Sequence, residues 1–293
     1  SISALKGLDN VTLLPRTTVF GYYDSNGLAA VERVQDHVPV PGDFLPRQRL
    51  WNIRAQRVVL ATGAIEQPLV FAGNDRPGVM LASAARAYVN QFAVRPGGKA
   101  VVATGTDDGY RTALDLALAG VEVVAVIDYR PSANGTLPQA ARSRGIEVMT
   151  GHAVGGVMGV FDVSGVEVAA IDVQGRIAGA PRQLACDLVA SAGVWQPAVH
   201  LHSHTGAKPV YDDRLSAFVP GSSRQAEASA GAAAGHFGLA ECLSDGFREG
   251  AAAAKLAGFG SGTAPGAPIC DDGGPTAPSK ALWSIPRPSG VRG

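Results

Sequence analysis

The chain has 293 residues, 46% of them hydrophobic and 17% charged, with a formal net charge of zero at pH 7. That length suffices for one or two domains with cores of their own, and the composition excludes a disordered chain. A neutral balance leaves no electrostatic footprint for nucleic acid or an anionic membrane surface, and three widely spaced cysteines, Cys186, Cys242 and Cys270, argue against a disulfide framework, a zinc site or an iron–sulfur cluster.

No apolar run is long enough to span a bilayer, so a cytoplasmic protein is expected. The chain opens inside a pattern: residues 1–8 read as the end of a helix, which predicts further residues upstream. Short β-rich runs follow at 11–14 and 17–23, then a turn at Asp24-Ser25-Asn26-Gly27 and an alternating strand over 28–34. A polar, Pro-rich excursion over 36–46 precedes a strand-like stretch at 50–60. Together these runs predict a small antiparallel meander that feeds a buried strand at Val58-Val59-Leu60.

That strand stops at Thr62-Gly63. In open α/β sheets the carboxyl ends of strands line the nucleotide crevice, and a glycine there lets backbone approach a ligand. Two Pro-containing connectors, Glu66-Gln67-Pro68 and Asp75-Arg76-Pro77-Gly78, lead to a helix over 83–94, closed by Arg95-Pro96-Gly97-Gly98. The Gly-rich break predicts a domain boundary near residue 95.

A second buried strand is expected at 100–104, a loop at Gly105-Thr106-Asp107-Asp108-Gly109, a helix over 110–119 and a strand over 121–127 ending at Asp128. This βαβ unit invites comparison with the Gly-x-Gly-x-x-Gly nucleotide fingerprint. Asp107 occupies the second-glycine position with Asp108 beside it, and two carboxylates repel a pyrophosphate. Although Asp128 stands where a ribose acceptor belongs, the simpler reading is a dinucleotide fold kept as scaffold. A helix over 136–144, a strand over 146–150 and a second meander over 155–184 complete this region, and the strand at 186–190 is expected to return the chain to the first domain.

Beyond Ser191-Ala192-Gly193 come a short helix near 199–203 and a small-residue-rich stretch at 228–238. There the glycines Gly231 and Gly235 precede a helix over 237–254. Its bare N-terminus could meet a dinucleotide, or the small residues could simply let helix and sheet pack closely. The alternating His200, His202 and His204 would share a face only on a strand, and no carboxylate stands at ligand spacing, so no metal site is expected. His236 sits beside the helix start and reads most simply as a hydrogen-bonded loop residue. No catalytic constellation is self-sufficient here.

The run ATGAIEQPLVFAGNDRPGVMLASAARAYVNQF (61–92), with LPRTTVFGYYD (14–24), YRTALDLALAGVEVVAVID (110–128) and CDLVASAGVWQPAVHL (186–201), resembles the α subunit of heterotetrameric sarcosine oxidase, a flavoprotein of the two-dinucleotide-binding-domain class. The resemblance implies an α/β fold with two Rossmann-like domains, each with a β-meander. The first domain, truncated and discontinuous, would span 1–95 and 186–260. The second, inserted, would span 96–185, and a Pro/Gly-rich linker 261–293. Family members oxidatively demethylate sarcosine to glycine, formaldehyde and hydrogen peroxide, with tetrahydrofolate as one-carbon acceptor. FAD lies in the β subunit, FMN at the α–β interface and NAD in the α subunit, and further small subunits complete the assembly. Carried onto this chain, Thr62, Gly63 and Ala64 would approach NAD from one side. Gly193 and the stretch with Gly231, Gly235, His236 and Phe237 would form the other. The upstream glycine turn and the folate domain would lie outside the chain, so no independent turnover is expected. Similar subunits of opine oxidase or hydrogen cyanide synthase, which usually bring cysteine clusters, and a non-catalytic scaffold are the alternatives. A disulfide reductase would need a redox cysteine pair, which is missing.

Overall fold

The computed structural model describes residues 2–270 together with 282, 284 and 285. In chain order, helix α1 (Ile2–Lys6) is followed by strands β1 (Thr17–Tyr23), β2 (Gly27–Arg33), β3 (Gln48–Arg54), β4 (Val58–Leu60), β5 (Ala64–Glu66) and β6 (Val79–Leu81), then by α2 (Ala82–Phe92). Strand β7 (Lys99–Thr104), α3 (Asp108–Leu118), β8 (Glu122–Asp128), α4 (Thr136–Ser143) and β9 (Glu147–Thr150) alternate, before β10 (His152–Met158), β11 (Gly165–Ile171) and β12 (Ile177–Leu184). The chain continues through β13 (Leu188–Ala192), β14 (Trp195–Pro197), α5 (His200–His204), β15 (Val210–Asp212), β16 (Ala217–Val219) and β17 (Glu227–Ser229). A 3-10 turn (Gly231–Ala234) then leads into α6 (Leu239–Leu256). The predicted linker over 261–293 falls largely outside the described residues.

Two compact units emerge. The first comprises residues 2–63, 198–210 and 219–268, and the second residues 64–197 and 211–218 with the described residues from 269 onward. In the first unit β1, β2 and β3 form the expected antiparallel meander. Its first turn runs through Ser25 and Asn26, both left-handed, and the Gly27 N–H donates to the Asp24 carbonyl at 3.3 Å. Asn26 is buried because its side chain has work there: Nδ2 donates to the carbonyls of Gln56 and Ala226, and Oδ1 accepts the Tyr22 hydroxyl at 2.7 Å. Residues 11–14 form no strand, and the stretch 50–60 divides into β3 and β4. β4 pairs in parallel with β17, Leu60 opposite Ser229.

The second unit is built on a parallel sheet of order β6-β13-β7-β8-β9. The strand at 99–104 shows why both faces are covered. Ala100 and Val102 belong to a core shared with α2, α3 and α4, whereas Val101 and Ala103 belong to another shared with β10 and β11. Strictly alternating side chains in a wholly apolar run require two coverings. Each fully buried valine contributes about 1.5–3 kcal/mol from burial. β10, β11 and β12 form the second antiparallel meander, as expected.

The division between units differs from the one drawn from sequence. The observed boundaries fall at 63/64 and 197/198, not near 95 and 186. The cause is β13, whose Val189 pairs with both Val79 of β6 and Val101 of β7. Residues 79–81 and 188–192 therefore extend the second unit's sheet, and α2 packs against it. Arg95-Pro96-Gly97-Gly98, which reads as a boundary, is a turn inside that unit, strapped by the Asp187 carboxylate. Asp187 accepts the backbone N–H groups of Gly98 and Lys99 at 2.8–3.0 Å, and a Cβ on Gly97 would lie 2.8 Å from it.

Candidate functional site

In the first unit the carboxyl ends of the two parallel strands lie side by side, with the Ala230 N–H donating to the Leu60 carbonyl at 2.9 Å. Past β4, Thr62 donates its hydroxyl to the Ala198 carbonyl at 2.9 Å, and the Ala198 N–H returns a bond to the Gly63 carbonyl at 2.9 Å. Gly63 is left-handed, with φ of +76°, and a Cβ built on it would meet nothing within 4 Å. Open space beside a bare backbone at the carboxyl end of a parallel strand fits a dinucleotide.

Past β17, the residues 231–236 fold into a closed turn. Gly231 and Gly235 are both left-handed, and the His236 N–H donates to the Gly231 carbonyl at 3.2 Å. Asp245, on the second turn of α6 and only 2% exposed, organises this turn. Its Oδ2 accepts the Gly231 N–H at 2.7 Å and faces His236 Nδ1 at 3.0 Å, while Oδ1 pairs with Arg248. Burial opposes its charge, but the Gly231 N–H, the imidazole and the guanidinium prevail and hold its carboxyl below the usual range. Cys242 donates its thiol to the His236 carbonyl, and the Glu241 carboxylate accepts the Gly238 N–H at the start of α6. Of the expected cofactor residues, Thr62, Gly63, Gly231, Gly235, His236 and Phe237 thus belong to this unit. Asp245 had no motif around it in the sequence; its role depends on a turn 14 residues away.

Ala64 and Gly193 belong to the second unit. Ala64 opens β5, which pairs antiparallel with β14. A Cβ on Gly193 would collide with the Gln67 carbonyl, so a backbone crossing accounts for the glycine. At the end of β5, Glu66 is 4% exposed and accepts the Ser83 N–H at 2.9 Å in the first turn of α2, while its Oε1 has no partner. Burial pushes its carboxyl up to about 7 against the Ser83 bond, with the charge of Asp108 adding to the rise.

The fingerprint-like loop of the second unit is occupied by the protein itself. Arg130, 6% exposed, reaches Asp128 Oδ2 at 2.8 Å with Nη2 and Asp107 Oδ1 at 2.9 Å with Nη1. Asp128 also accepts the Tyr110 hydroxyl at 2.7 Å and the Arg130 N–H at 2.9 Å. The carboxylate standing where a ribose acceptor belongs therefore has both oxygens committed internally. Gly109 permits helix α3 to approach β7, since a Cβ there would collide with Thr104.

The histidines of α5 diverge. His202 is buried against Glu227, Nδ1 to Oε1 at 2.7 Å, and His204 Nδ1 accepts the Tyr22 N–H at 3.4 Å. Among the described residues no group of three or more His, Cys, Asp or Glu side chains could hold a metal, all three cysteines are free, and no helix is long and apolar enough to cross a membrane.

No family model matches the chain. It is 42% identical over 283 residues to the sarcosine oxidase subunit alpha of Rhizobium meliloti, covering 96% of this chain and 27% of that protein. It is 44% identical over 264 residues to the subunit of the same name from Corynebacterium sp. strain P-1, covering 88% of this chain and 27% of that protein. Among solved structures it is similar to a T. acidophilum thioredoxin reductase (TM-score 0.56, 17% identity, 78% of this chain and 70% of that one). It is also similar to an L-proline dehydrogenase from P. horikoshii (TM-score 0.54, 22% identity, 84% and 41%). At such identities these two establish the α/β dinucleotide-binding fold alone. The resemblance carried by short motifs therefore holds along nearly the whole chain, and what the chain matches is a segment, 27% in length, of sarcosine oxidase α subunits.

Proposed function

We propose that this chain acts as part of the α subunit of a sarcosine oxidase-type oxidoreductase, binding NAD in its first unit and packing against a flavin-carrying β subunit. The whole assembly would oxidatively demethylate sarcosine to glycine, formaldehyde and hydrogen peroxide, or to methylene-tetrahydrofolate when folate is present, in the cytoplasm. FAD in the β subunit and FMN at the α–β interface would supply the redox chemistry. The part of this chain is to bind and to position; none of its residues is assigned a catalytic step, and it is not expected to turn over alone.

The observation that carries the NAD reading is the pairing of two features at adjacent strand ends: the bare left-handed backbone of Gly63 with open space beside it, and the closed glycine turn 231–236. Thr62 contributes by strapping its own segment to Ala198 and so fixing the approach to Gly63. Gly63→Glu tests this in an α–β complex. A glutamate there would be strained at φ of +76° and would thrust a carboxylate toward the pyrophosphate. Bound NAD, released by denaturation and quantified, is expected to fall to background while the complex still assembles. Unchanged NAD content would remove Gly63 from the site.

A further inference from the structure

We infer that the buried pair His202–Glu227 positions the backbone of the NAD site, by fixing helix α5 and through it Ala198, which holds Thr62 and Gly63. The inference rests on the NAD reading above, and the pair acts through other residues rather than on the ligand itself. Helix α5 is five residues long and has no side-chain N-cap, and a helix so short has no stability of its own. Its placement therefore comes from what it packs against, and His202 is its one buried residue. The His202 and Glu227 side chains are each 1% exposed, with Nδ1 and Oε1 2.7 Å apart. An ionised carboxylate can only accept, so Nδ1 donates. Nε2 and Oε2 make no bond among the described residues, so this one bond is the polar tie between α5 and β17.

The contacts close a circuit inside the first unit. Glu227 opens β17 and pairs in parallel with Val58 of β4. Past the end of β4, the Thr62 hydroxyl donates to the Ala198 carbonyl, and the Ala198 N–H donates to the Gly63 carbonyl. Ala198 is followed by Val199, the N-cap of α5, and from that helix His202 returns to Glu227. His204 adds a longer tie, its Nδ1 accepting the Tyr22 N–H at 3.4 Å. Gly63 has no side chain to hold it and faces open space, so the bonds to Ala198 fix where its backbone stands. Cutting the circuit at His202 removes the buried anchor of α5 and loosens the Ala198 bonds on the far side. His202 and Glu227 are therefore positioning residues.

Amide hydrogen exchange in the α–β complex, with NAD removed and single amides resolved, tests the circuit, and NAD titration of the same proteins tests its role. His202→Asn keeps a donor where Nδ1 stands, whereas His202→Gln carries its amide nitrogen further out, where Nε2 stands. In His202→Gln the Ala198 amide should exchange about tenfold faster and NAD should bind about 3- to 10-fold more weakly. The Ala230 amide, bonded to Leu60 in the same unit, should keep its wild-type rate, and His202→Asn should restore both properties. Faster exchange at Ala230 as well would mean a general loss of structure and overturn the positioning role. An unchanged Ala198 rate would overturn the circuit, and a raised rate with unchanged NAD affinity would overturn its bearing on the site. If the wild type binds no NAD, the NAD reading falls, while the exchange rates still judge the circuit. If neither variant folds, the wild type decides: Ala198 protected as well as Ala230 supports the inference, and Ala198 exchanging as freely as an unbonded loop amide sinks it.

Discussion

Glu66→Gln should flatten the pH dependence of stability near neutrality. Glu66 is buried at the end of β5, with one carboxylate oxygen on the Ser83 N–H and the other without a partner. Its carboxyl titrates near 7 in the folded protein against 4.5 in the unfolded chain. Between those values the unfolded chain has released the proton while the folded protein still holds it, so stability falls as pH rises and levels off above 7. At 1.36 kcal/mol per unit, the full loss is about 3 kcal/mol, most of it between pH 5 and pH 8. Glutamine keeps the oxygen that accepts from Ser83 and cannot ionise. Urea denaturation followed by tryptophan fluorescence suits the measurement, because Trp195 lies opposite Glu66 on β14. The variant should gain about 2–3 kcal/mol on the wild type between pH 5 and pH 8. Parallel stability profiles for the two proteins would refute the assignment of a neutral carboxylic acid to this position.

Arg130→Met should cost the second unit about 3–5 kcal/mol in urea denaturation, because it removes the guanidinium that neutralises Asp107 and Asp128, the latter fully buried. A loss below about 1 kcal/mol would mean that the cluster is neutralised some other way. Gly193→Ala should lower stability by about 1–3 kcal/mol through collision with the Gln67 carbonyl, while leaving NAD content per folded molecule unchanged. Loss of NAD without loss of stability would return Gly193 to the cofactor site.

Patterns that depend on neighbours in sequence were legible beforehand. The apolar run at 100–104, the turn at Asp24-Ser25-Asn26-Gly27, both meanders and the carboxylates at 107 and 108 are all local patterns of this kind. Features built across the chain did not. Nothing local to Leu188-Val189-Ala190 says that it lies between β6 and β7, and nothing local to the Pro-Gly-Gly turn says that Asp187 straps it. The close crossing of Gln67 over Gly193, a packing reason for the glycine beside its expected cofactor role, is invisible in sequence. The two carboxylate pairings that matter most, Arg130 with Asp128 and His236 with Asp245, differ in sequence separation. Arg130 stands two residues from its partner and could have been suspected from the Asp-Tyr-Arg spacing, whereas Asp245 becomes meaningful only once α6 is laid beside the turn.

The guanidinium of Arg130 also decides how the second unit responds to its surroundings. A protein that binds a ligand only when folded gains stability as the ligand concentration rises. Here the cation that neutralises the crevice carboxylates is covalently part of the chain, at a fixed and saturating local concentration. Thermal unfolding of this unit should therefore have the same midpoint in the presence and absence of nucleotide.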